Sequence, residues 1–225
     1  MKKNILTLLT ATLGFLAVGC EYDNFEAPKE FLSGKVVFEG KAVGVRNNGT
    51  ELELWQDGYP LKSAIPVFIN QAGEFSANLF RGKYKLVRKG NAPWLQQSTD
   101  TILVNVNGNT VLDVPVTPYF VIGNESFQVA NNQIAATFTV KKTTESAKLD
   151  QVKLFLSKSI LTDHVLSDQD INVDLPQVLF GTETRITRQL SDKFKGQAYI
   201  FVRIGVKSSS AGEYIYTPVQ KIMLN

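Results

Sequence analysis

Chemistry in a protein chain needs nucleophiles, titrating side chains or metal ligands at workable spacing, and this sequence is sparing with all three. It carries one histidine, His164, and one cysteine, Cys20. A zinc site built on His164 would have to be completed by carboxylates alone, an unusual ligand set. No G-x-S-x-G elbow marks a serine nucleophile, and no glycine-rich phosphate loop stands before a helical segment. His164 is therefore expected in a loop or at the surface, and the chain is not expected to be an enzyme. In Asp168-Gln-Asp-Ile-Asn-Val-Asp174 four oxygen-bearing side chains alternate: Asp168, Asp170, Asn172 and Asp174. In an extended segment they would share one face and could gather a hard cation. A calcium loop would need Gly at its sixth position and Glu at its twelfth, where Val173 and Leu179 stand. The plain alternative is a solvated acidic face, so no metal and no cofactor is assigned.

Binding chemistry has better candidates. In Glu51-Leu-Glu-Leu-Trp55, Trp55 falls on the Glu51/Glu53 side of the alternation. Tyr59 follows the Asp57-Gly58 turn, and Trp94 lies in the loop-like Gly90-Asn-Ala-Pro-Trp-Leu95. Flat aromatic faces stack on sugar rings, and Gln56, Asp57, Gln96 and Gln97 could hydrogen-bond the hydroxyls. Trp55, Tyr59 and Trp94 form the candidate ligand-binding set. The competing expectation is that each tryptophan covers a core edge or the domain interface, since large aromatics are mostly buried.

Cys20 is singled out by position. Lys2 and Lys3 precede an uncharged, apolar or small stretch from Ile5 to Val18. That stretch is too short to span a bilayer, which takes about 20 residues, and has the length of a signal-peptide core. It ends Leu16-Ala-Val-Gly-Cys20, which resembles the lipobox of bacterial lipoproteins, with Ala17 where Leu is usual. The resemblance implies removal of residues 1–19 and lipidation of Cys20 on sulfur; a simple secretory signal cleaved nearby is the alternative. Several acyl chains on one residue anchor stably, because each buried CH₂ contributes about 0.8 kcal/mol. Residues 20–30 form an acidic tether, Glu21-Tyr-Asp-Asn-Phe-Glu-Ala-Pro28 at its centre. It is similar to the surface-export signal of Bacteroidota lipoproteins, which implies the outer membrane and its external face; otherwise it is a solvated linker.

Loss of residues 1–19 would leave 206 residues with 22 basic and 21 acidic side chains. No basic stripe remains, so nucleic-acid binding has no electrostatic support. With no cysteine after Cys20, each domain must stand by apolar burial alone. Short alternating runs indicate an all-β chain. Leu52 and Leu54 share one face, as do Ile102, Val104 and Val106. Ala198, Ile200, Val202, Ile204 and Val206 share another, with Tyr199, Phe201 and Arg203 opposite. Asn48-Gly49 and Asn107-Gly108 read as hairpin turns. Ser159 to Asp168 reads as a short helix or a long loop. Val114-Pro-Val-Thr-Pro-Tyr119 is the expected hinge, because proline interrupts a sheet ladder, which divides the chain into 31–117 and 118–225.

Leu32-Ser-Gly-Lys-Val-Val37, Gln71-Ala-Gly-Glu-Phe75 and Leu79-Phe-Arg-Gly-Lys-Tyr84 resemble the transthyretin-like, carboxypeptidase-regulatory-type sandwich. That likeness implies Gly34, Gly73 and Gly82 at turns or strand starts and Phe75 and Tyr84 in the core. Cys20-Glu-Tyr-Asp-Asn-Phe-Glu-Ala-Pro28, Val116-Thr-Pro-Tyr-Phe120, Phe201-Val-Arg-Ile-Gly-Val206 and Tyr214-Ile-Tyr216 resemble the two-domain Bacteroidota lipoproteins catalogued as domain-of-unknown-function 3823. The resemblance implies two tandem β-sandwiches, the second immunoglobulin-like, and company in SusC/SusD-like nutrient-uptake systems. The expected role is a surface-exposed, non-catalytic binding or accessory lipoprotein of glycan uptake; the alternative is a structural or adhesive spacer with no small-molecule ligand. Mass spectrometry of the membrane-extracted protein should find lipidated Cys20 as its first residue, and Cys20→Ala should move the chain to the soluble fraction.

Overall fold

The computed structural model describes residues 26–58, 60–96 and 101–224. Cys20, Tyr59 and Gln97 lie outside them. The first half carries β1 (Glu30–Phe38), β2 (Lys41–Ala42), β3 (Glu51–Trp55), β4 (Ile65–Phe68), β5 (Glu74–Leu79), β6 (Gly82–Arg88), β7 (Ile102–Val106), β8 (Asn109–Val111) and β9 (Val114–Pro115). The second carries β10 (Phe120–Ala130), β11 (Gln133–Lys142), β12 (Leu149–Ser157), β13 (Gln169–Asn172), β14 (Glu183–Gln189), β15 (Tyr199–Ser208), β16 (Ile215–Tyr216) and β17 (Gln220–Met223). The chain is all-β, two tandem sandwiches, as its alternating runs require.

In the first sandwich, β1 organises one sheet. It pairs antiparallel with β2 and β5, and parallel with β8 and β9. The facing sheet runs β4-β3-β6-β7. Alternation sends Leu32, Val36 and Phe75 inward against Leu52, Leu54, Tyr84 and Leu86, all buried. In the second sandwich, β10-β11-β14 faces β13-β12-β15-β16, with β17 also on β15. Ile134, Ala136 and Phe138 pack against Leu154, Leu156, Ile200, Val202 and Ile204. Phe75 and Tyr84 occupy the core as expected. Gly34 does not mark a turn. It sits inside β1, and a Cβ there would stand 1.8 Å from the Leu112 carbonyl oxygen.

Two sequence expectations about turns change. Asn48 has φ 55° and Gly108 φ 72°, but neither Asn48-Gly49 nor Asn107-Gly108 closes a hairpin. After Asn107-Gly108 the chain leaves β7 and joins β1 of the opposite sheet. Asn48-Gly49 lies in a loop whose Gly49 amide donates to Arg46 at 3.0 Å. Burying apolar faces between two sheets outweighs the local hairpin preference here. Ser159–Asp168 is a loop, tied down by its own carboxylates. Asp163 accepts from the Val165 and Leu166 amides at 2.8 and 3.0 Å, and Asp168 from the Lys158 amide at 2.8 Å.

The two sandwiches meet around Arg203. Sequence alternation puts this arginine on the face opposite the core, yet it is 0% exposed. Its Nε donates to the Thr217 carbonyl at 3.0 Å, and its Nη1 to the carbonyls of Val45 and Thr162 at 3.3 and 3.4 Å. The guanidinium lies 4.2 Å from the Tyr216 ring centroid, a favourable cation–π arrangement. Gly44 pairs with Tyr216 in an isolated bridge; a Cβ on Gly44 would stand 2.5 Å from the Tyr216 oxygen and 3.3 Å from Arg203 Nη2. Arg46 clamps Glu213 through two bonds of 2.6 and 3.2 Å. Trp94 and Leu95 add a second seam: Trp94 bridges Pro118, and the Leu95 amide donates to Thr117 at 2.8 Å.

Burial draws the Arg203 pKa down to about 10, so the group stays charged at neutral pH and depends on its acceptors. Arg203→Ala should cost about 3–5 kcal/mol in urea denaturation, through a cavity and unpaired carbonyls, whereas Lys195→Ala at an exposed position should fall within about 0.5 kcal/mol. His164 sits at the rim of this cluster. Its backbone amide donates to the Tyr216 hydroxyl oxygen at 3.3 Å, and its Nδ1 lies 2.9 Å from the same atom. Burial holds its pKa below the ordinary value of 6.5, against the opposing pull of Glu213 and Asp163 and with Arg46 and Lys207 adding to the fall. The unfolded chain therefore takes up this proton first as pH falls. Stability should be steady above pH 6.5 and decline below it, and His164→Gln should flatten that step in melting temperature.

Candidate functional site

The structure divides the sequence-predicted aromatics. Trp55 stands on the outer face of β3, half-buried, its Nε1 donating to Glu53 at 3.2 Å. Trp94 is a correction: it is 2% exposed, packed under the linker at Pro118, so neither ring face is open to a sugar. The proline before it and the backbone bonds to residues 117–119 draw the loop inward instead of presenting it. Asp57 is engaged by Lys85 at 2.6 Å. Neither tryptophan lines the hollows described next.

The acidic run does not assemble a cation site. Asp168 is committed to the Lys158 amide and to Ser157. Asp170 pairs with Lys153 at 2.9 Å, and Asp174 accepts from Gln177 at 3.3 Å. Among the described residues, no three His, Cys, Asp or Glu side chains converge. Around His164, burial pushes the Tyr216 hydroxyl pKa upward and that of Tyr214 up to about 12. An activated nucleophile needs the opposite shift.

A different surface presents exposed aromatic rings. The outward phase of β1 carries Phe31, Ser33 and Lys35. The register sets Ser76 opposite Ser33, Glu74 opposite Lys35, and Val111 beside Ser33 on the parallel strand β8. Phe68, at the end of β4, forms the far wall. The result is an open groove of about 540 Å³, within the range of ligand sites. Phe31 is 38% and Phe68 50% exposed, so two aromatic rings are presented beside polar groups. Those groups are held in place. Asn70 Oδ1 accepts from the Ala72 and Glu74 amides, both at 2.9 Å, and its Nδ2 donates to Glu74 at 3.2 Å. Lys35 Nζ meets Glu74 at 3.0 Å, and Asp113 accepts from the Lys35 amide at 3.1 Å. The bonds from Lys35 and Asn70 hold the Glu74 carboxyl below its ordinary pKa.

A second hollow, about 320 Å³, lies where the sandwiches meet. Loop residues Asn48, Glu51, Lys89 and Asn91 line it from the first sandwich and Glu213 from the second. Asn48 and Asn91 hold left-handed backbone, φ 55° and 67°, a conformation asparagine tolerates better than most residues. Sequence reasoning favoured tryptophans and missed this surface. The available signal was an aromatic on the polar phase of a strand: Phe31 beside Leu32, and Phe68 beside Val67.

Comparison with known proteins places this architecture. No curated protein matches the chain. Residues 30–117 match the family model "Protein of unknown function (DUF3823) N-terminal domain", and residues 120–221 match "Domain of unknown function (DUF3823_C)". A DUF3823 family protein from Bacteroides ovatus is 41% identical, with a TM-score of 0.82 over 88% of this chain and 100% of its own. One from Parabacteroides merdae is 32% identical, with a TM-score of 0.81 and the same coverages. At 20% identity and a TM-score of 0.73, again over 88% and 100%, the same fold occurs in a Bacteroides uniformis protein described as a candidate carbohydrate binding protein. With both sandwiches matched by its models and two solved members this similar, the chain belongs to the DUF3823 family.

Proposed function

We propose that this chain is a non-catalytic glycan-binding lipoprotein, anchored through Cys20 to the outer membrane, facing outward and serving a SusC/SusD-like uptake system. The carrying observation is the first-sandwich groove, where exposed Phe31 and Phe68 flank the serine hydroxyls of Ser33 and Ser76 and the hydrogen-bonded amide and carboxylate groups of Asn70, Glu74 and Asp113. Aromatic faces take the apolar side of a pyranose, and pre-positioned polar groups take its hydroxyls without a large ordering cost. The candidate carbohydrate binding protein of the same fold supports this reading. Among the described residues no helix is long and apolar enough to cross a membrane, and the signal segment with Cys20 supplies the anchor in this proposal.

A spacer role is the second reading, and the Arg203 junction favours it. A junction with a desolvated cation at its centre resists bending, which suits a rigid stalk. Glycan arrays and membrane pull-downs separate the two. The first reading expects glycan capture or co-purification of a transporter pair. Phe31→Ala with Phe68→Ala should weaken glycan binding about tenfold or more, with only a modest fall in melting temperature because both rings are partly exposed. Blank arrays together with blank pull-downs would leave only the spacer.

A further inference from the structure

The groove and the junction hollow share a wall. Asn48 lines both, so the two hollows are neighbours at this residue, and a chain laid past Asn48 would reach from Phe31 and Phe68 toward Glu213 of the second sandwich. From this geometry, and resting on the glycan-binding reading above, we infer that the ligand is an extended, electrically neutral oligosaccharide that contacts both sandwiches.

Length follows from the adjacency of the two hollows at Asn48. The groove supplies the aromatic contacts, and the junction hollow supplies mainly amides and carboxylates. A short sugar fills the groove alone. A longer chain runs past Asn48 and gains Asn91 and the second sandwich. The Arg203 and Arg46–Glu213 contacts join the two sandwiches beside the hollow, so a chain that matches both segments gains affinity as a linked second contact does.

Neutrality follows from the charges. Six charged side chains line the track, and each already has a partner in the protein. Lys35 pairs with Glu74 at 3.0 Å, and Asp113 accepts from the Lys35 amide. Lys89 pairs with Glu51, and Glu213 with Arg46 at 2.6 Å. A uronate or sulfate would have to break one of these pairs to find a cation, or sit against Glu74, Asp113, Glu51 or Glu213. Hydroxyl groups can instead share the paired carboxylates and the asparagine amides without disturbing them.

The test is calorimetry of the full chain against two ladders, neutral linear glucans, mannans and xylans from disaccharide to octasaccharide, and galacturonate oligomers of the same lengths. Three variants report on position: Phe68→Ala in the groove, Asn48→Gly at the joint and Asn91→Gly at the far end. Glycine tolerates the left-handed backbone at both asparagines, so these two variants lose the side chain and keep the turn. Affinity for a neutral ladder should rise with length to a plateau. Phe68→Ala should weaken short and long chains alike. Asn91→Gly should leave the disaccharide unchanged and weaken the longest chain about three- to tenfold, with Asn48→Gly between them. If affinity is flat with length, or Asn91→Gly does not touch the longest chain while Phe68→Ala still weakens binding, the extended track is wrong and the groove reading survives. Tighter binding of galacturonate oligomers than of neutral ones overturns neutrality. Failure of every ladder to bind, or binding indifferent to Phe68→Ala, removes the groove reading and this inference with it. Melting curves of each variant separate lost contacts from lost fold.

Discussion

A guanidinium taken out of water needs acceptors, and Arg203 draws them from segments far apart in the chain: Thr162, Thr217 and, across the domain boundary, Val45. Desolvation of such a group costs several kcal/mol unless it is met by hydrogen bonds. The relative placement of the two sandwiches is therefore tied to the Arg203 side chain. Tyr216 covers the cation with its ring and pairs with Gly44 through its backbone. Gly44 has no side chain, and none would fit between the Tyr216 carbonyl and the guanidinium. Arg46 and Glu213 close the rim with a bidentate ion pair, and Trp94 locks the linker a short distance away. Breaking the junction would strand a buried charge, which holds the two sandwiches together at this point.

That constraint is what gives the surface its shape. The hollow beside Glu213 exists only because the second sandwich is held against the loops at Asn48 and Asn91. The groove depends on β1, which carries core residues on one phase and contact residues on the other. Gly34 lets the Leu112 carbonyl approach β1 where any side chain would collide, and so keeps Val111 and Asp113 at the groove's edge. Pairing of Lys35 with Glu74 and of Lys89 with Glu51 leaves the surface polar, with Asp113 and Glu213 adding an excess of carboxylate.

Much of the core was legible from alternation alone. Leu52 and Leu54, Ile200, Val202 and Ile204, and Phe75 and Tyr84 lie where period-two patterning puts them, because burial of one strand face dominates the energetics of a two-layer fold. The candidate site was less legible. Of the two expectations for Trp94, burial at a core edge is the one that holds, since a tryptophan in a loop is drawn to any apolar seam within reach. Phe31 and Phe68 were passed over, although each breaks the polar phase of its own strand. Asn48-Gly49 and Asn107-Gly108 have turn chemistry, but partner choice after a turn is decided by which sheet has an open edge.

By itself, the sequence determined the strand content, the inward faces, the proline-marked linker and the absence of disulfide support after Cys20. These are local properties of residue type, spacing and backbone preference. Only the tertiary structure decided that Arg203 is buried and that Phe31, Phe68 and Asn48 meet on one surface. Those outcomes depend on contacts between residues as distant in the chain as Val45 and Arg203. A period-two pattern says which way a side chain points within its own sheet. It carries no information about what another sheet or domain will bring to cover it.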